Sequence, residues 1–434
     1  MKRSSRTIDT LVIGFALFSM FFGAGNVIFP PYLGLQSGSH WLLGFICYFL
    51  ADIGLALVAI FATLRTGEAN GITRPIGKVA ATILLSAIIL CIGPMLAIPR
   101  TAASTFEMSI TPLFPGFSSL LFSILFFTII LLLSIRESAV VDIVGKILTP
   151  ALLIGLLILI VKGALQPLGP IPDAALVENI PTTGIKAGYQ TMDVLAAIIF
   201  GIIILKSAEE KGYTNFRDKS RIVAGASLVA GAVLLIVYLG LTYLGATASN
   251  FFDLSVDRTV LVMFIVKSLL HNGGTVLFAI VVALACITTA VALVSCSASF
   301  FSDLSRGRIS YQVLVVVICV FSAAASNIGL EQIISIAAPI LDIVYPPSLA
   351  LIILAFFHKY IQNDWIYRCA ALGAVLTSLL TVASAYLPFL AGIKPLLDCL
   401  PLSFLGLGWI LPSAICGVLG AFIPHKEEHP TPAA

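Results

Sequence analysis

Long apolar runs separated by short polar connectors make up nearly the whole chain. Each run is about 20 residues long, the length that a helix needs to cross the hydrocarbon core of a bilayer. Backbone groups cannot stay unpaired in hydrocarbon, so runs of this length are predicted to be helices rather than the shorter strands of a barrel. The sequence contains twelve such runs, at 11–35, 41–64, 79–98, 117–135, 143–161, 187–205, 222–244, 276–300, 311–330, 333–357, 369–390 and 404–423.

Composition agrees with this pattern. Of the 434 residues, 59% are hydrophobic and 10% are charged, whereas about a quarter of a soluble globular domain is charged. A water-soluble fold has too little interior to hide so much apolar surface. Basic residues number 24 and acidic residues 21, which leaves no basic face for nucleic acid. We therefore predict an all-α polytopic membrane protein, with the lipid bilayer as partner and no nucleic acid.

The distribution of lysine and arginine predicts how the chain is oriented. Basic residues are enriched in cytoplasmic loops. With a cytoplasmic N-terminus, the inner connectors hold 18 basic residues and the outer connectors hold six. Twelve spans place both termini on the same side. We therefore expect the N- and C-termini to be cytoplasmic.

The connectors carry no sign of catalysis. They contain no phosphate-binding loop, no nucleophile elbow and no zinc-protease motif. Seven of the eight cysteines lie within apolar runs and none forms a CxxC pair, so neither a metal site nor a redox motif is indicated. We predict that the protein is not an enzyme, and the sequence indicates no obligate protein partner. Any transport must use an ion gradient or facilitated diffusion.

The first run is interrupted at its centre. Phe22-Gly23-Ala24-Gly25-Asn26 places two glycines and an asparagine mid-span, and these are poor helix formers. Many transporters bind substrate and ions at such breaks, where carbonyls are free for a cation and amides for a carboxylate. The alternative is close helix packing through small residues. Because Gly23 and Gly25 are two residues apart and do not share a helix face, we favour an unwound binding site.

The sixth and eighth runs carry polar groups at membrane depth. Asp193 lies about six residues from the outer end of its run, roughly 9 Å deep at the helical rise, and a carboxylate there is a functional hypothesis by default. It binds a cation, a substrate amine or a proton, or else is a structural carboxylate. In the eighth run, Thr288, Thr289 and the Ala285 carbonyl offer oxygen ligands for a monovalent cation. The alternative for the threonines is bonding to their own helix.

Other polar residues are harder to assign. Arg100 and Glu107 lie near the outer end of the third run. One interpretation is that they pair as an outer-gate salt bridge. The alternative is that Arg100 is an end-of-helix side chain that snorkels to the membrane surface. Asp52 lies mid-span with no partner visible in the sequence. Asp342 precedes Tyr345-Pro346-Pro347, where proline is expected to kink or interrupt the tenth helix.

Several stretches resemble the branched-chain amino acid carriers, the LIVCS or BrnQ-type cation symporters. The resemblance covers nearly the whole chain, in order. The stretches are Phe22-Gly23-Ala24-Gly25-Asn26-Val27-Ile28-Phe29-Pro30-Pro31 with Leu33-Gly34, Pro75-Ile76-Gly77-Lys78-Val79, Gly93-Pro94, Pro99-Arg100-Thr101-Ala102, Phe106-Glu107, Thr191-Met192-Asp193 and Tyr345-Pro346-Pro347.

This resemblance implies a multi-pass symporter of the bacterial inner membrane that carries leucine, isoleucine and valine, with sodium as the co-transported ion. It also implies a leucine-transporter-like fold within a single domain, 1–434: five helices repeated with inverted topology (1–167 and 180–357), then helices 11 and 12 (366–424). Carried over, the substrate-binding residues are Phe22, Gly23, Ala24, Gly25, Asn26, Thr191, Asp193 and Val194. The sodium candidates are Phe22, Ala285, Thr288 and Thr289.

Under this interpretation, sodium and substrate bind together from outside, and the first and sixth helices then rock to open inward. The branched side chain enters an apolar pocket that Phe22 and Val194 are expected to line. The leading alternative is proton-coupled symport of the same substrates, because Asp193 suits a proton as well as a second cation. A carrier for another small solute, such as a nucleobase or an aromatic amino acid, is a further alternative. An uncoupled channel is disfavoured since no charged rings appear.

Overall fold

The computed structural model describes residues 6–66, 71–135, 149–361 and 363–424. Within these ranges the chain is helical and contains no strand. Both termini, the connector 136–148 and the first six residues of the fifth predicted run lie outside the described residues. So do five of the 18 basic residues on which the predicted orientation depends, namely Lys2, Arg3, Arg136, Lys146 and Lys426.

The first seven α-helices include three π turns. The turns are Leu50–Gly54, Cys91–Met95 and Phe106–Ile110. A 3-10 turn follows α2 at Gly38–His40 and another precedes α5 at Arg74–Ile76. The helices are α1 (Arg6–Phe21), α2 (Ala24–Ser37), α3 (Trp41–Phe49), α4 (Leu55–Thr66), α5 (Lys78–Leu90), α6 (Ala97–Thr105) and α7 (Ser119–Ile135).

The remaining helices include α12, which is interrupted at His271 (φ 55°, ψ −163°). Two further 3-10 turns, Pro388–Ile393 and Ser403–Leu405, flank the short α16. The helices are α8 (Thr149–Leu165), α9 (Ile180–Thr191), α10 (Asp193–Glu210), α11 (Phe216–Thr247), α12 (Arg258–Leu304), α13 (Tyr311–Ser326), α14 (Leu330–Phe356), α15 (Asp364–Tyr386), α16 (Lys394–Asp398) and α17 (Ile410–Ala421).

Each predicted run is largely helical where the structure describes it, with breaks at 22–23 and at Met192 and with ends of the last two runs that are not α-helical. Six helical stretches are long and apolar enough to cross a membrane, or seven if the bent pair α9–α10 is one span. Large apolar side chains stay exposed along these helices, as for Leu120 and Leu132 on α7, which is typical of surfaces that face lipid. The count of twelve spans and the sides of the termini remain predictions.

Two expectations about helix shape need correction. The third predicted run ends at residue 98, but helical structure continues to Ile110. The backbone is non-helical at Gly93, in the π turn Cys91–Met95 that contains Pro94, and a second π turn follows at Phe106–Ile110. Tyr345-Pro346-Pro347 does not interrupt α14, which runs from Leu330 to Phe356. Neighbouring helices and local adjustment can satisfy the backbone groups that proline frees.

The chain divides into two compact units by internal contacts. The larger unit lies within Met1–Ile60 and Ala87–Leu341. In it, α1 and α2 pack along α11 and α3 packs against α9, while α6, α7, α12 and α13 pack against one another. α2 contacts both groups. The predicted repeats 1–167 and 180–357 remain a prediction.

Two glycines bring α2 and α11 into backbone contact. A Cβ on Gly34 would lie 1.9 Å from the Thr242 carbonyl oxygen, and a Cβ on Gly245 would lie 1.8 Å from the Pro31 carbonyl oxygen. Real Cβ atoms do not approach backbone oxygen that closely, so only glycine fits at these two positions. The contact fixes α2, and with it the break in the first span, against α11.

The smaller unit lies within Phe61–Ser86 and Asp342–Ala434. Its main contact is between α15 and α17, where a Cβ on Gly420 would lie 2.4 Å from the Trp365 carbonyl oxygen. Arg368 donates through Nε to the Pro75 carbonyl at 3.1 Å. The Arg65 guanidinium caps Phe356, 4.2 Å from its ring centroid. The residues predicted to bind substrate and cation all lie in the larger unit.

Candidate functional site

The first predicted span is broken at Phe22 and Gly23. Helix α1 ends at Phe21 and α2 begins at Ala24. Gly23 is extended, with φ −112° and ψ −167°. Its amide donates to the Asn26 side-chain oxygen at 3.4 Å. The structure therefore contains the interruption that the sequence predicts, and the N-terminus of α2 points its amides toward it.

The sixth predicted span is broken one residue before Asp193. Met192 separates α9 from α10 in a left-handed conformation, with φ 67° and ψ 11°, and the two helices meet at a bend of 42°. Left-handed backbone at a buried non-glycine residue is strained by about 1–3 kcal/mol and is concentrated at functional sites. Asp193 is the first residue of α10, where the helix dipole favours its negative charge.

Asn26 joins the two breaks directly. Its side-chain nitrogen donates to the Asp193 carboxylate at 2.6 Å and also to the Tyr238 hydroxyl on α11. Asn26, Asp193 and Tyr238 are all buried. One amide therefore uses both of its protons to hold α2, α10 and α11 together.

Arg100 lies at the site itself. Its guanidinium donates to the carbonyls of Gln190 at 2.5 Å and Thr191 at 3.1 Å, so its charge faces the negative C-terminal end of α9. A Cβ on Gly25 would lie 2.9 Å from Arg100 Nη2, so Gly25 makes room for the guanidinium. Because Arg100 is only 4% exposed, the snorkelling alternative is wrong.

Asp52 belongs to the same site. The sequence alone did not show that Asp52 is part of it. It is completely buried in the π turn Leu50–Gly54, and π turns are frequent at functional sites. The Thr191 hydroxyl donates to Asp52 Oδ1 at 2.8 Å. A carboxylate mid-span was the available signal, but its partner lies 139 residues away in the chain.

The predicted cation ligands of α12 do not all face the break in the first span. The Thr289 side chain packs against Gly23, with its oxygen 3.5 Å from where a Gly23 Cβ would be. That hydroxyl is buried and has no hydrogen-bond partner among the described residues. Thr288 instead donates to the Ala285 carbonyl at 2.8 Å. Thr289 is therefore the predicted ligand that the structure brings to the break.

A cavity of about 30 Å³ lies at the two breaks. The predicted substrate residues that line it are Gly23, Ala24, Asn26, Thr191 and Asp193, together with Arg100 and Thr289. Phe21, Phe200, Ile92 and Leu293 form its apolar side. Phe22, Gly25 and Val194 are buried but lie outside the lining. The volume admits a water molecule or a small ion, so the cavity must widen to take an amino acid.

A cluster of side chains closes the end of α2 remote from the break. Arg258, the first residue of α12, forms an ion pair with Glu331 of α14 and stacks 4.4 Å from the ring centroid of Tyr32 on α2. Tyr32 in turn donates to the Leu254 carbonyl at 2.9 Å. We call Arg258, Glu331 and Tyr32 the outer cluster, after the predicted orientation of the chain, and no feature of the sequence indicated it.

The two residues of the predicted gate have separate partners. Arg100 contacts the end of α9, as described above. Glu107 accepts from the Thr259 hydroxyl at 3.0 Å and from the Leu330 amide at 3.1 Å, beside the outer cluster. A gating role for either residue remains a prediction.

A second cluster holds the start of α1. Asp9 accepts from Lys211 at 3.1 Å and from the Tyr213 hydroxyl at 2.9 Å, and Arg6 pairs with Asp218 at 3.1 Å. We call Asp9, Lys211 and Tyr213 the inner cluster. The broken span α1–α2 is thus tied at both of its ends, with the cavity between them.

Comparison with known proteins identifies the family. A family model described as "Branched-chain amino acid transport protein" matches residues 6–427. The chain belongs to this family. The resemblance found in the sequence is confirmed, and so is the prediction that the protein is not an enzyme, because the family consists of transport proteins.

Close relatives share nearly the full length. The chain is 35% identical to the branched-chain amino acid permease BrnQ of Escherichia coli K12 over 431 residues, covering 96% of each chain. It is 34% identical to the branched-chain amino acid permease BraB of Bacillus subtilis, covering 97% of this chain and 96% of that one.

The fold is shared with more distant transporters. A sodium-coupled sialic acid symporter solved in a substrate-bound, outward-open state aligns with a TM-score of 0.61 at 12% identity, covering 94% of this chain and 90% of that one. This likeness establishes the fold alone. The protein is therefore a multi-pass membrane protein with a transporter fold.

Proposed function

We propose that the protein carries leucine, isoleucine and valine across the bacterial inner membrane, in symport with sodium and by alternating access. The observation that supports this most directly is the hydrogen bond from Asn26 to Asp193, which joins two helix breaks at one buried cavity. The substrate class is supported by the printed names of the relatives, which are branched-chain amino acid permeases. The same proposal includes twelve spans and cytoplasmic termini.

The substrate would lie across the two breaks. Its carboxylate would bind the amides of Ala24 and Gly25, because a helix N-terminus favours an anion. Its ammonium group would approach Asp193. Its side chain would extend toward the apolar side of the cavity, at Phe21 and Phe200, with Phe22 and Val194 behind. An apolar pocket distinguishes leucine from valine by only about 1–3 kcal/mol per methylene.

Sodium would bind between α12 and the break in the first span. The partnerless Thr289 hydroxyl beside Gly23 is the supporting observation, because a buried oxygen without a partner needs one. The Phe22 carbonyl, the Ala285 carbonyl and the Thr288 hydroxyl are the other proposed ligands. Oxygen ligands of this kind suit a hard cation.

Alternating access would open the two clusters in turn. Opening the outer cluster would free α2 and admit substrate from outside, and opening the inner cluster would free α1 and release substrate inward. Each cluster contains an ion pair and a tyrosine hydrogen bond, so each has groups that can separate and be hydrated. Arg100 at the site and Glu107 beside the outer cluster would act as gating residues, and each would change its contacts when the protein opens.

The test is uptake of labelled leucine into proteoliposomes under an imposed sodium gradient and, separately, an imposed proton gradient. We expect accumulation with sodium that unlabelled isoleucine and valine block. Accumulation with protons alone would support the carrier function but show that the coupling ion is the proton rather than sodium. Absence of leucine uptake under both gradients, or competition only by a nucleobase or an aromatic amino acid, would contradict the proposed substrate.

A further inference from the structure

Asp52 is a buried carboxylate with too few partners. It is completely buried, and it accepts one hydrogen bond, from the Thr191 hydroxyl at 2.8 Å. Its second oxygen, Oδ2, has no hydrogen-bond partner among the described residues. The Tyr48 hydroxyl lies beside this carboxylate, is also completely buried, and has no hydrogen-bond partner among the same residues.

The single hydrogen bond to Asp52 is itself shared. The Thr191 hydroxyl is 2.8 Å from Asp52 Oδ1 and 2.6 Å from the Gly188 carbonyl oxygen. A hydroxyl has one proton and can donate to one acceptor at a time. Whenever that proton goes to Gly188, Asp52 loses it, and the Tyr48 hydroxyl is the donor that remains beside the carboxylate. Three oxygens, from Asp52, Thr191 and Gly188, then face one another without enough protons.

The other charges nearby are engaged elsewhere. Arg100 donates to the carbonyls at the end of α9. Asp193 accepts from Asn26 and lies at the positive end of α10. The titratable groups near Asp52 are Tyr48 on α3, Asp193 on α10 and Tyr238 on α11. Arg100 on α6 lies near Asp193. Among these described groups, the two carboxylates Asp52 and Asp193 therefore share one basic neighbour, Arg100.

An ionised carboxylate in such a place is costly. A buried charge is tolerated when it is paired or hydrogen-bonded, and otherwise it takes up a counter-charge. The surrounding oxygen atoms suit a monovalent cation, either sodium or a proton.

We propose that Asp52, with Thr191 and Tyr48, binds a second monovalent cation in the transport cycle, separate from the cation at Thr289. This inference rests on the proposed function. Each amino acid zwitterion then crosses the membrane with two positive charges. The Asp52 site is also in contact with the broken sixth span, which is proposed to move, because Thr191 is the last residue of α9 and precedes the strained Met192.

The experiment measures the ratio of charge to substrate. Purified protein in proteoliposomes is held at a known leucine gradient and cation gradient, and the membrane potential at which net leucine flux is zero gives the number of charges per leucine. We expect two charges per leucine for the wild type and one for Asp52→Asn, which is neutral but has nearly the same shape. The control, Asp342→Asn, changes another acid of a predicted span and should keep two.

Ion fluxes identify the cation. If sodium occupies the Asp52 site, labelled sodium flux per leucine falls from two to one in Asp52→Asn. If a proton occupies it, sodium flux stays at one while the leucine-coupled internal acidification seen in the wild type disappears. A ratio of one charge per leucine in the wild type, or the same ratio in the wild type and Asp52→Asn, overturns the inference.

A second pair of variants covers the case in which Asp52→Asn is not recovered as folded protein. Thr191→Ser keeps the hydroxyl and should leave the ratio at two, whereas Thr191→Val should lower it or raise the half-saturating cation concentration at least tenfold. Equal behaviour of the two Thr191 variants overturns the inference. Failure of the proposed function is distinguishable, because the wild type then accumulates no leucine at all.

Discussion

Asn26 is the residue on which the geometry of the site depends. Its side-chain nitrogen donates to Asp193 and to Tyr238, and its oxygen accepts from the Gly23 amide. A buried amide with all of its protons and its oxygen engaged specifies one arrangement of its neighbours, because any other leaves polar groups unpaired. A single side chain therefore sets the distance between the two helix breaks.

The Arg100 guanidinium should not be replaceable by another basic group. Its planar guanidinium donates to two successive carbonyls at the end of α9, and a lysine ammonium cannot reproduce this fork. We expect Arg100→Lys to lower leucine uptake at least tenfold. The matched control, Arg308→Lys, changes an exposed arginine and should keep wild-type uptake. Wild-type uptake by Arg100→Lys would show that the fork has no role.

The sequence predicted individual site residues unevenly. Asn26 and Asp193 stood out because polar side chains at membrane depth are rare, and the structure brings them together. Asp52 stood out equally, but its partner Thr191 is distant in the chain. Tyr238 gave no signal, since a tyrosine in an apolar run is ordinary. Contacts between distant residues are set by tertiary packing, which a single sequence does not show.

At the scale of helices, the contact between α2 and α11 supports the break in the first span. The Gly34→Ala and Gly245→Ala variants would each place a methyl group within 2 Å of a backbone oxygen, so the helices must separate. Overpacking of this kind costs about 1–3 kcal/mol.

We therefore expect both glycine variants to lower the melting temperature of the purified protein and to reduce leucine uptake. The control is Gly273→Ala on α12, where a Cβ would meet no atom within 4 Å. Thermal unfolding of the three variants in one detergent checks this. Wild-type melting of Gly34→Ala and Gly245→Ala would contradict the close contact.

The outer cluster gives a prediction about the motion of α2. Arg258→Gln removes the ion pair with Glu331 and the stacking on Tyr32. Because both charged side chains are partly exposed, the ion pair contributes at most about 1 kcal/mol, which is about a fivefold change in population. We expect the outward-open population to rise by up to that factor.

Thiol labelling measures this change. A cysteine placed in the cavity by Ala24→Cys, with the exposed Cys399 replaced by serine, should react several times faster with a membrane-impermeant reagent in Arg258→Gln. Lys267→Gln serves as control and should leave the labelling rate unchanged. Equal rates in all three proteins would mean that the outer cluster does not hold α2 closed.

Helix positions were the most predictable feature, because apolar runs of membrane-crossing length are a strong signal. The break at Gly23 was also indicated, by two glycines and an asparagine. In the sixth run the sequence indicated a functional Asp193 but not the break at Met192. The π turns were not predicted, since they depend on which neighbour satisfies the freed backbone groups. The expected interruption at Tyr345-Pro346-Pro347 was wrong, because helix is continuous there, while a kink at these prolines stays a prediction.

At the scale of the whole molecule, sodium should stabilise the fold if it binds as proposed. A ligand at 100 times its Kd stabilises the state that binds it by about 2.7 kcal/mol, which raises the melting temperature by a few degrees. We expect this rise in sodium chloride relative to choline chloride at equal ionic strength.

Thr289→Ala should remove that sodium-dependent rise, because it deletes the partnerless hydroxyl beside Gly23. Thr381→Ala should keep it, because that hydroxyl donates to the Thr377 carbonyl of its own helix. A sodium-dependent rise of wild-type size in Thr289→Ala would exclude Thr289 as a ligand.

Transport by the whole molecule depends on the two joined helix breaks forming the substrate site. The most direct test is equilibrium binding of labelled leucine to purified protein in sodium, comparing wild type with Asn26→Ala. The control is Asn327→Ala, whose side chain is bonded to Ser119 and Ser123 away from the cavity. We predict at least tenfold weaker leucine binding for Asn26→Ala and unchanged binding for Asn327→Ala. Wild-type affinity in a monodisperse Asn26→Ala protein would contradict the claim.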